Sequence, residues 1–388
     1  MEFKYENMAQ KIMIIIVSAF ILYVFGCKSK NENEFFYSIL KVENFQKQID
    51  GKQTSMYFLK NGDVHMAITN YGARIVGLSF PDKNGNYSDV VLGFKSIDDY
   101  LNANEVFHGA IIGRVANRIA DGKFTLDEKK FTLPINNKTN QLHGGEKGFH
   151  NQVWEVKSYN DSTIVLSYIS KDGEMGYPGN LNVEVGYFLE HENALKITYK
   201  AKTDKNTPVM LTNHAFWNLS GEAGGTINDH VLTINADSSI TIDSTLIPTG
   251  EIASVEGTVF DFRIPKAVGK DLPQQNDNEQ LKNGLGYDYN WPLNKKFGEM
   301  SFAGSVLDPK SGRKMDVYTE EPVLLFYGGN FLNGKDIGKY GKSFKYREAF
   351  CLETHHYPDS PNHPNFPSII LTPDNEYTTS TIYKFSCN

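Results

Sequence analysis

Five short stretches of the chain gather groups that can move protons or hold hydroxyls. They are Gly113-Arg114-Val115-Ala116-Asn117-Arg118, Asn140-Gln141-Leu142-His143-Gly144-Gly145, Leu211-Thr212-Asn213-His214-Ala215-Phe216-Trp217-Asn218-Leu219, Gly286-Tyr287-Asp288-Tyr289-Asn290 and Leu352-Glu353-Thr354-His355-His356. Each sets an ionisable or amide group among aromatics and glycines. That mixture suits a polyhydroxylated ligand, whose C–H surfaces lie on aromatic faces while charged and amide groups take its hydroxyls. Other chemistries lack their usual signs. There is no GxGxxG, P-loop, HExxH, CxxC pair or GxSxG, so nucleotide, zinc-protease and serine-hydrolase readings are unsupported. His355, His356 and His363 match no structural zinc spacing.

The elements that must position these groups read as strands. Thr163–Ile169, Asn182–Leu189 and Ala194–Ala201 alternate apolar and polar residues, the period of a sheet with one wet face. Asn61-Gly62-Asp63, Asn84-Gly85-Asn86, Asp172-Gly173 and Asn283-Gly284 supply residues that tolerate positive φ at hairpin corners. Ser96–Leu101 is expected as a single short helix. Thirty-three Gly, 15 Pro and 13% aromatics among 388 residues fit many strands and turns better than a helical bundle. No repeat or linker divides residues 46–388, so one large antiparallel β domain is expected there. Lys+Arg number 39 against 46 Asp+Glu, a net charge of −7 without a basic run, which argues against nucleic-acid partners.

The N-terminus calls for separate treatment. Lys11 precedes an apolar run from Ile12 to Phe25, too short to span a bilayer comfortably, and Gly26-Cys27 follows. The ending Val-Phe-Gly-Cys resembles the lipobox of bacterial lipoproteins, although Phe25 is bulkier than that pattern prefers. The expectation is a lipoprotein signal peptide over 1–26, a lipidated Cys27 and a flexible tether over 27–45. An ordinary cleaved signal peptide or an uncleaved anchor are the alternatives. The expected location is the bacterial cell envelope, with membrane contact only through that anchor. Of the remaining cysteines, Cys351 sits in an apolar run and reads as a buried inert thiol, and its pairing with Cys387 is left open.

Taken in order, the five clusters resemble the aldose 1-epimerase (galactose mutarotase) family. The likeness begins at Asn70-Tyr71-Gly72-Ala73, continues through Val91-Leu92-Gly93-Phe94 and ends in Tyr357-Pro358-Asp359-Ser360-Pro361-Asn362-His363-Pro364-Asn365-Phe366-Pro367-Ser368. It implies an all-β fold, a large antiparallel β-sandwich over 46–388, acting as a monomer that interconverts the α and β anomers of free aldoses. Carried over residue by residue, it puts the general acid at His214, the general base at Glu353 and sugar contacts at Asn117, Arg118, His143 and Asp288. Ring opening needs one proton taken from the anomeric hydroxyl and one given to the ring oxygen, so an imidazolium and a carboxylate on opposite sides of the sugar are expected. No redox cofactor or catalytic metal is required, and nothing in the spacing demands a bound Ca²⁺. Leu325 stands where relatives often carry Gln, His355 where they carry Gln, and Tyr289 where they carry His. A non-catalytic sugar-binding lipoprotein and a glycoside hydrolase are the rival readings. The hydrolase would need two carboxyl groups about 5–10 Å apart.

Overall fold

The computed structural model describes residues 36–222 and 224–387. The expected signal segment and Cys27 lie outside the described residues. The largest unit is a nine-stranded sheet, ordered Glu155–Tyr159, Thr163–Ser170, Leu181–Glu190, Ala194–Thr203, Tyr377–Cys387, Arg313–Thr319, Ser301–Leu307, Val231–Ile234 and Lys266–Ala267. Every neighbouring pair in it is antiparallel. The alternation read from sequence is present. Ile164, Leu166, Val183, Val185, Tyr187, Leu195, Ile197 and Tyr199 turn inward, and the residues between them face outward or to the margin.

That inner face packs in one core with Met66, Ile68, Ile75 and Leu78 of a four-stranded sheet (Met56–Asn61, Val64–Thr69, Arg74–Pro81, Tyr87–Asp89). The same core takes Tyr289, Trp291, Leu324, Phe326 and Leu352 from a three-stranded sheet of Asp288–Pro292, Val323–Tyr327 and Cys351–His355. Burying each large apolar side chain contributes roughly 1.5–3 kcal/mol, so this all-β sandwich rests on its shared core.

Two local expectations need correction. Residues 36–45 are not tether: Phe36, Leu40 and Phe45 are buried with Met56, Phe94, Tyr100 and Phe344. Thr54 locks the segment by donating its hydroxyl to the Phe45 carbonyl at 2.7 Å. A polar-rich composition hid three well-spaced apolar anchors. Asn283-Gly284 is not a hairpin corner either. It ends a second short helix, Glu279–Asn283, capped by the Asn278 side chain, and Gly284 has φ −82°. The left-handed residues there are Leu285 and Gly286. By contrast Gly62, Gly85 and Gly173 all have positive φ, and the expected helix forms at Ile97–Leu101 with Ser96 accepting from the Asp99 N–H.

Candidate active site

The three-stranded sheet explains why Asp288 and Glu353 meet. In a strand successive side chains alternate faces, so one face carries Tyr289, Trp291, Leu324, Phe326 and Leu352 into the core. The other carries Asp288, Leu325, Tyr327, Cys351 and Glu353. Register sets the rows: Asp288 opposes Tyr327, which opposes Cys351, and Asn290 opposes Leu325, which opposes Glu353. The Gly286–Asn290 and Leu352–His356 clusters, more than sixty residues apart in the chain, thus become neighbours on one face.

His214 arrives from the short strand Thr212–Asn213, paired with Ile111–Ile112. Backbone bonds from its N–H to the Ala110 carbonyl and from the Gly109 N–H to its own carbonyl hold it on both sides. Its ring lies near Phe107, Phe216 and Tyr327. The third edge comes from Arg118–Ile119 paired with Gln141–Leu142. Asn117 and His143 flank that pair, and both sit in the left-handed region at φ 60° and 52°. They hold each other there: the His143 N–H donates to the Asn117 carbonyl at 2.9 Å, and the Asn117 N–H donates to His143 Nδ1 at 3.1 Å. Gly144 completes the reversal, because a Cβ at its φ of +81° would lie 2.0 Å from the Gly113 carbonyl oxygen. Two non-glycine residues in sparsely populated backbone, each fixed by the other, mark a position that the surrounding structure over-determines.

All six residues singled out from sequence, Asn117, Arg118, His143, His214, Asp288 and Glu353, line one cavity of about 70 Å³. Glu105, Phe107, Leu142, Leu325, Tyr327 and Phe331 line it too. The volume falls well below the roughly 300–1,000 Å³ of drug-sized pockets. A larger groove of about 780 Å³ lies on the outer face of the nine-stranded sheet, but none of the five clusters reaches it. Converging chemistry, rather than volume, marks the site.

His214 Nε2 lies 3.4 Å from Glu353 Oε1, both side chains almost fully buried. The two groups stand side by side rather than on opposite sides of a sugar. Burial pushes the His214 imidazole down to about 3, while burial and the nearby Asp288 carboxylate hold Glu353 well above the usual carboxyl range. Burial thus favours the neutral form of both groups. On the far side of the ring, Cys351 Sγ lies 3.5 Å from His214 Nδ1. Burial pushes that thiol up, and when Nδ1 carries the imidazole proton toward Sγ, Nε2 is free to share the Glu353 proton. Cys351 is buried as expected, yet it touches the site.

Arg118 is buried, with the Asp288 carboxylate as its strongest charged neighbour. Burial in turn raises Asp288, and Arg118 opposes that rise. His143 is held well below its ordinary value by burial and by neighbouring His214 and Arg118. Because its Nδ1 accepts from Asn117, its Nε2 carries the proton and acts as a donor. This bears on metals. His143, His214 and Glu353 offer ligand atoms within 4.8 Å of one another. A metal at His143 Nε2 would need that proton moved to Nδ1, against the Asn117 N–H, and two imidazoles are poor partners for Ca²⁺.

The departures fall into place. Leu325 puts an apolar wall beside Glu353 in the cavity. Tyr289 turns away, packing at 4.4 Å on Phe260 and donating to Gln280. His355 is fully buried and bonded through Nδ1 to the His356 carbonyl, while His356 pairs with Glu321 and His363 with Asp359, so the three do not gather. Sequence reasoning missed Glu105, Phe107, Tyr327 and Phe331. Tyr327 follows from register, but Glu105, Phe107 and Phe331 sit in loops and turns without a signal of their own.

The sequence model of the Aldose 1-epimerase family matches residues 55–384. The chain is 44% identical to galactose mutarotase of Bos taurus over 84% of this chain and 93% of that one. It is 36% identical to aldose 1-epimerase of Escherichia coli over 87% and 96% of the respective chains. A solved GalM/aldose epimerase homologue from C. elegans superposes with a TM-score of 0.78 at 32% identity, covering 86% of this chain and 99% of that one. With the six site residues converged and residues 55–384 matched by the family model, the chain belongs to the aldose 1-epimerase family.

Proposed function

We propose that this enzyme interconverts the α and β anomers of a free aldose, with Glu353 and His214 transferring the two protons. The observation that carries the assignment is the 3.4 Å approach of His214 Nε2 to Glu353 Oε1 inside the cavity lined by Asn117, Arg118, His143 and Asp288. The anomeric hydroxyl oxygen and the ring oxygen are bonded to one carbon, so an adjacent acid and base suit them. Ring opening runs as follows. Glu353 takes the anomeric hydroxyl proton, C1=O1 forms, the C1–O5 bond breaks, and the His214 Nε2 proton goes to O5. Rotation about C1–C2 presents the other carbonyl face, and the same transfers run backwards. Each positioned acid or base contributes typically 10²–10⁴-fold.

The reaction starts with Glu353 ionised and His214 protonated, whereas burial favours both groups neutral. Among the described residues Glu353 Oε2 has no hydrogen-bond partner. Sugar hydroxyls that donate to it stabilise the carboxylate and shift the shared proton to His214. Arg118 and the Nε2–H of His143 donate to sugar oxygens, and Asp288 accepts from sugar hydroxyls. Polarimetry on freshly dissolved α-glucose and α-galactose, beside release of phenol from aryl glycosides, tests this reading. Acceleration of the first without the second is expected. Glycoside cleavage, or sugar binding without mutarotation, would overturn it.

We also propose that the enzyme is lipid-anchored at Cys27, on the strength of the apolar run ending in Val-Phe-Gly-Cys. At about 0.8 kcal/mol per buried CH₂, two or more acyl chains anchor a soluble domain stably where one does not. Fatty-acid label and membrane fractionation are expected for the wild type and lost in Cys27→Ala. Label in neither would show that residues 1–26 have another role.

A further inference from the structure

Glu105 is the one carboxyl lining the cavity that the proposed proton transfers and sugar contacts leave unused. Its loop is gripped from outside: the Asp336 carboxylate accepts the Asn104 N–H at 2.8 Å and the Glu105 N–H at 2.9 Å. Its Oε1 accepts the Phe107 N–H at 3.1 Å. No hydrogen bond to its Oε2 is found among the described residues. The side chain is thereby fixed at the cavity wall beside Phe107, Tyr327 and Phe331. Phe331 stacks on Tyr327, and its backbone N–H donates to the Tyr327 hydroxyl.

The charges around Glu105 offset it only in part: the Arg74 guanidinium favours its carboxylate, while burial and Asp336 oppose it. Arg118 has Asp288, Glu353 and Asp243 as its acidic neighbours, not Glu105. Arg74 lies behind, but its guanidinium donates to the carbonyls of Val106, His108 and His150 rather than to a carboxylate. Asp336 adds a like charge. The remaining groups near Glu105 are the Tyr327 phenol, the Cys351 thiol, Glu353 across the cavity with Asp288 beyond it, and the neutral imidazoles of His143 and His214. The cavity thus holds three carboxyls against one guanidinium.

We propose that Glu105 is a specificity-determining contact of this site: its carboxylate accepts a hydroxyl of the bound aldose and discriminates against aldoses that bear a carboxylate, the uronates. The proposal rests on the epimerase reading. Burial lifts Glu105 to about 7, so its charge, and with it the discrimination, develops as pH rises through neutrality. A uronate stays anionic throughout that range.

The test is the ratio of kcat/KM for glucuronate to that for glucose, measured by polarimetry from pH 6 to pH 8.5. In the wild type the ratio is expected to fall about tenfold or more across pH 7, the size of a like-charge interaction within a partly buried site. Glu105→Gln should raise the ratio about tenfold at pH 8 and flatten its pH dependence, whatever the variant loses on glucose. The wild-type profile stands even if the variant folds poorly. A ratio flat with pH in an active wild type, or equally steep in Glu105→Gln, would overturn the role of Glu105 alone. Failure to accelerate glucose mutarotation at all would instead overturn the epimerase reading, and this proposal with it.

Discussion

Replacing Glu353 by glutamine is expected to move activity and stability in opposite directions. Losing the base should lower kcat/KM by 10²–10⁴, about 3–5 kcal/mol in the barrier at 1.36 kcal/mol per decade. Stability follows from the burial of the same carboxyl. In the unfolded chain it ionises near 4.5, whereas in the folded protein it stays protonated to a value well above that. Between those two pH values the native state binds a proton that the unfolded state does not, so unfolding free energy falls as pH rises, by about 1.4 kcal/mol per unit. The contribution is complete below the unfolded value and is lost by the folded one. Glutamine keeps the shape and does not titrate. The variant should therefore gain on the wild type as pH rises above the unfolded value, by about 1.4 kcal/mol for each unit over which the buried carboxyl stays protonated. At roughly 2 °C per kcal/mol for a large domain, that is about 3 °C in Tm per unit. Thermal unfolding at pH 5, 6 and 7 beside polarimetric rates measures both effects. A Tm difference that does not change with pH would show that the carboxyl is not desolvated. Activity within tenfold of wild type would show that Glu353 is not the base.

Two further substitutions separate positioning from binding. Cys351→Ala removes the thiol that faces His214 Nδ1 at 3.5 Å, so ¹⁵N NMR of the imidazole should show a shifted tautomer balance, with kcat down about tenfold, KM little changed, and Cys351→Ser restoring both; an unchanged balance would refute this. Asp288→Asn should raise KM about ten- to a hundredfold, the worth of one or two hydrogen bonds to a charged acceptor, with a smaller loss in kcat; a defect confined to kcat would overturn its assignment to binding.

The strands of the nine-stranded sheet were legible because their two faces meet different solvents, which forces alternation into Thr163–Ile169 and Asn182–Leu189. The strand Val323–Tyr327 is buried at every position, one face in the core and the other in the cavity, so no alternation announces it. Residues 36–45 were misread because Phe36, Leu40 and Phe45 anchor a segment otherwise polar in composition. At the site, Asn117, Arg118, His143, His214, Asp288 and Glu353 could be named because their clusters, titratable or amide groups among glycines and aromatics, resemble in their order those of the aldose 1-epimerase family. Glu105 could not: it is a single acidic residue in Asn-Ala-Asn-Glu-Val, and only Asp336, some 230 residues later, fixes where its loop lies. The Cys351 contact was invisible for a related reason. A thiol in an apolar run reads as core, and its closeness to His214 exists only once the Leu211–Leu219 segment lies against the last strand of the three-stranded sheet.

In the proposed mechanism, burial also explains why Glu353 and His214 can exchange roles. Isolated, a buried carboxylate or imidazolium would carry a large desolvation cost, and each group responds by shifting toward its neutral form. Together they hold one proton, and passing it between Glu353 and His214 leaves the net charge of the pair unchanged. Only the charge separation is penalised, and two facing groups 3.4 Å apart keep that separation short. In the proposed reaction, ring opening takes the pair from its charge-separated form to its neutral form, and ring closure takes it back. The empty site prefers the neutral form, which is the one matched to the open-chain aldehyde. Hydroxyl donors on the closed ring stabilise the carboxylate of the other. A site that must run its reaction both ways needs these two forms close in free energy with sugar bound. A thiol at Nδ1 serves that balance: a carboxylate in place of Cys351 would hold His214 charged and leave it a poor acid toward the ring oxygen.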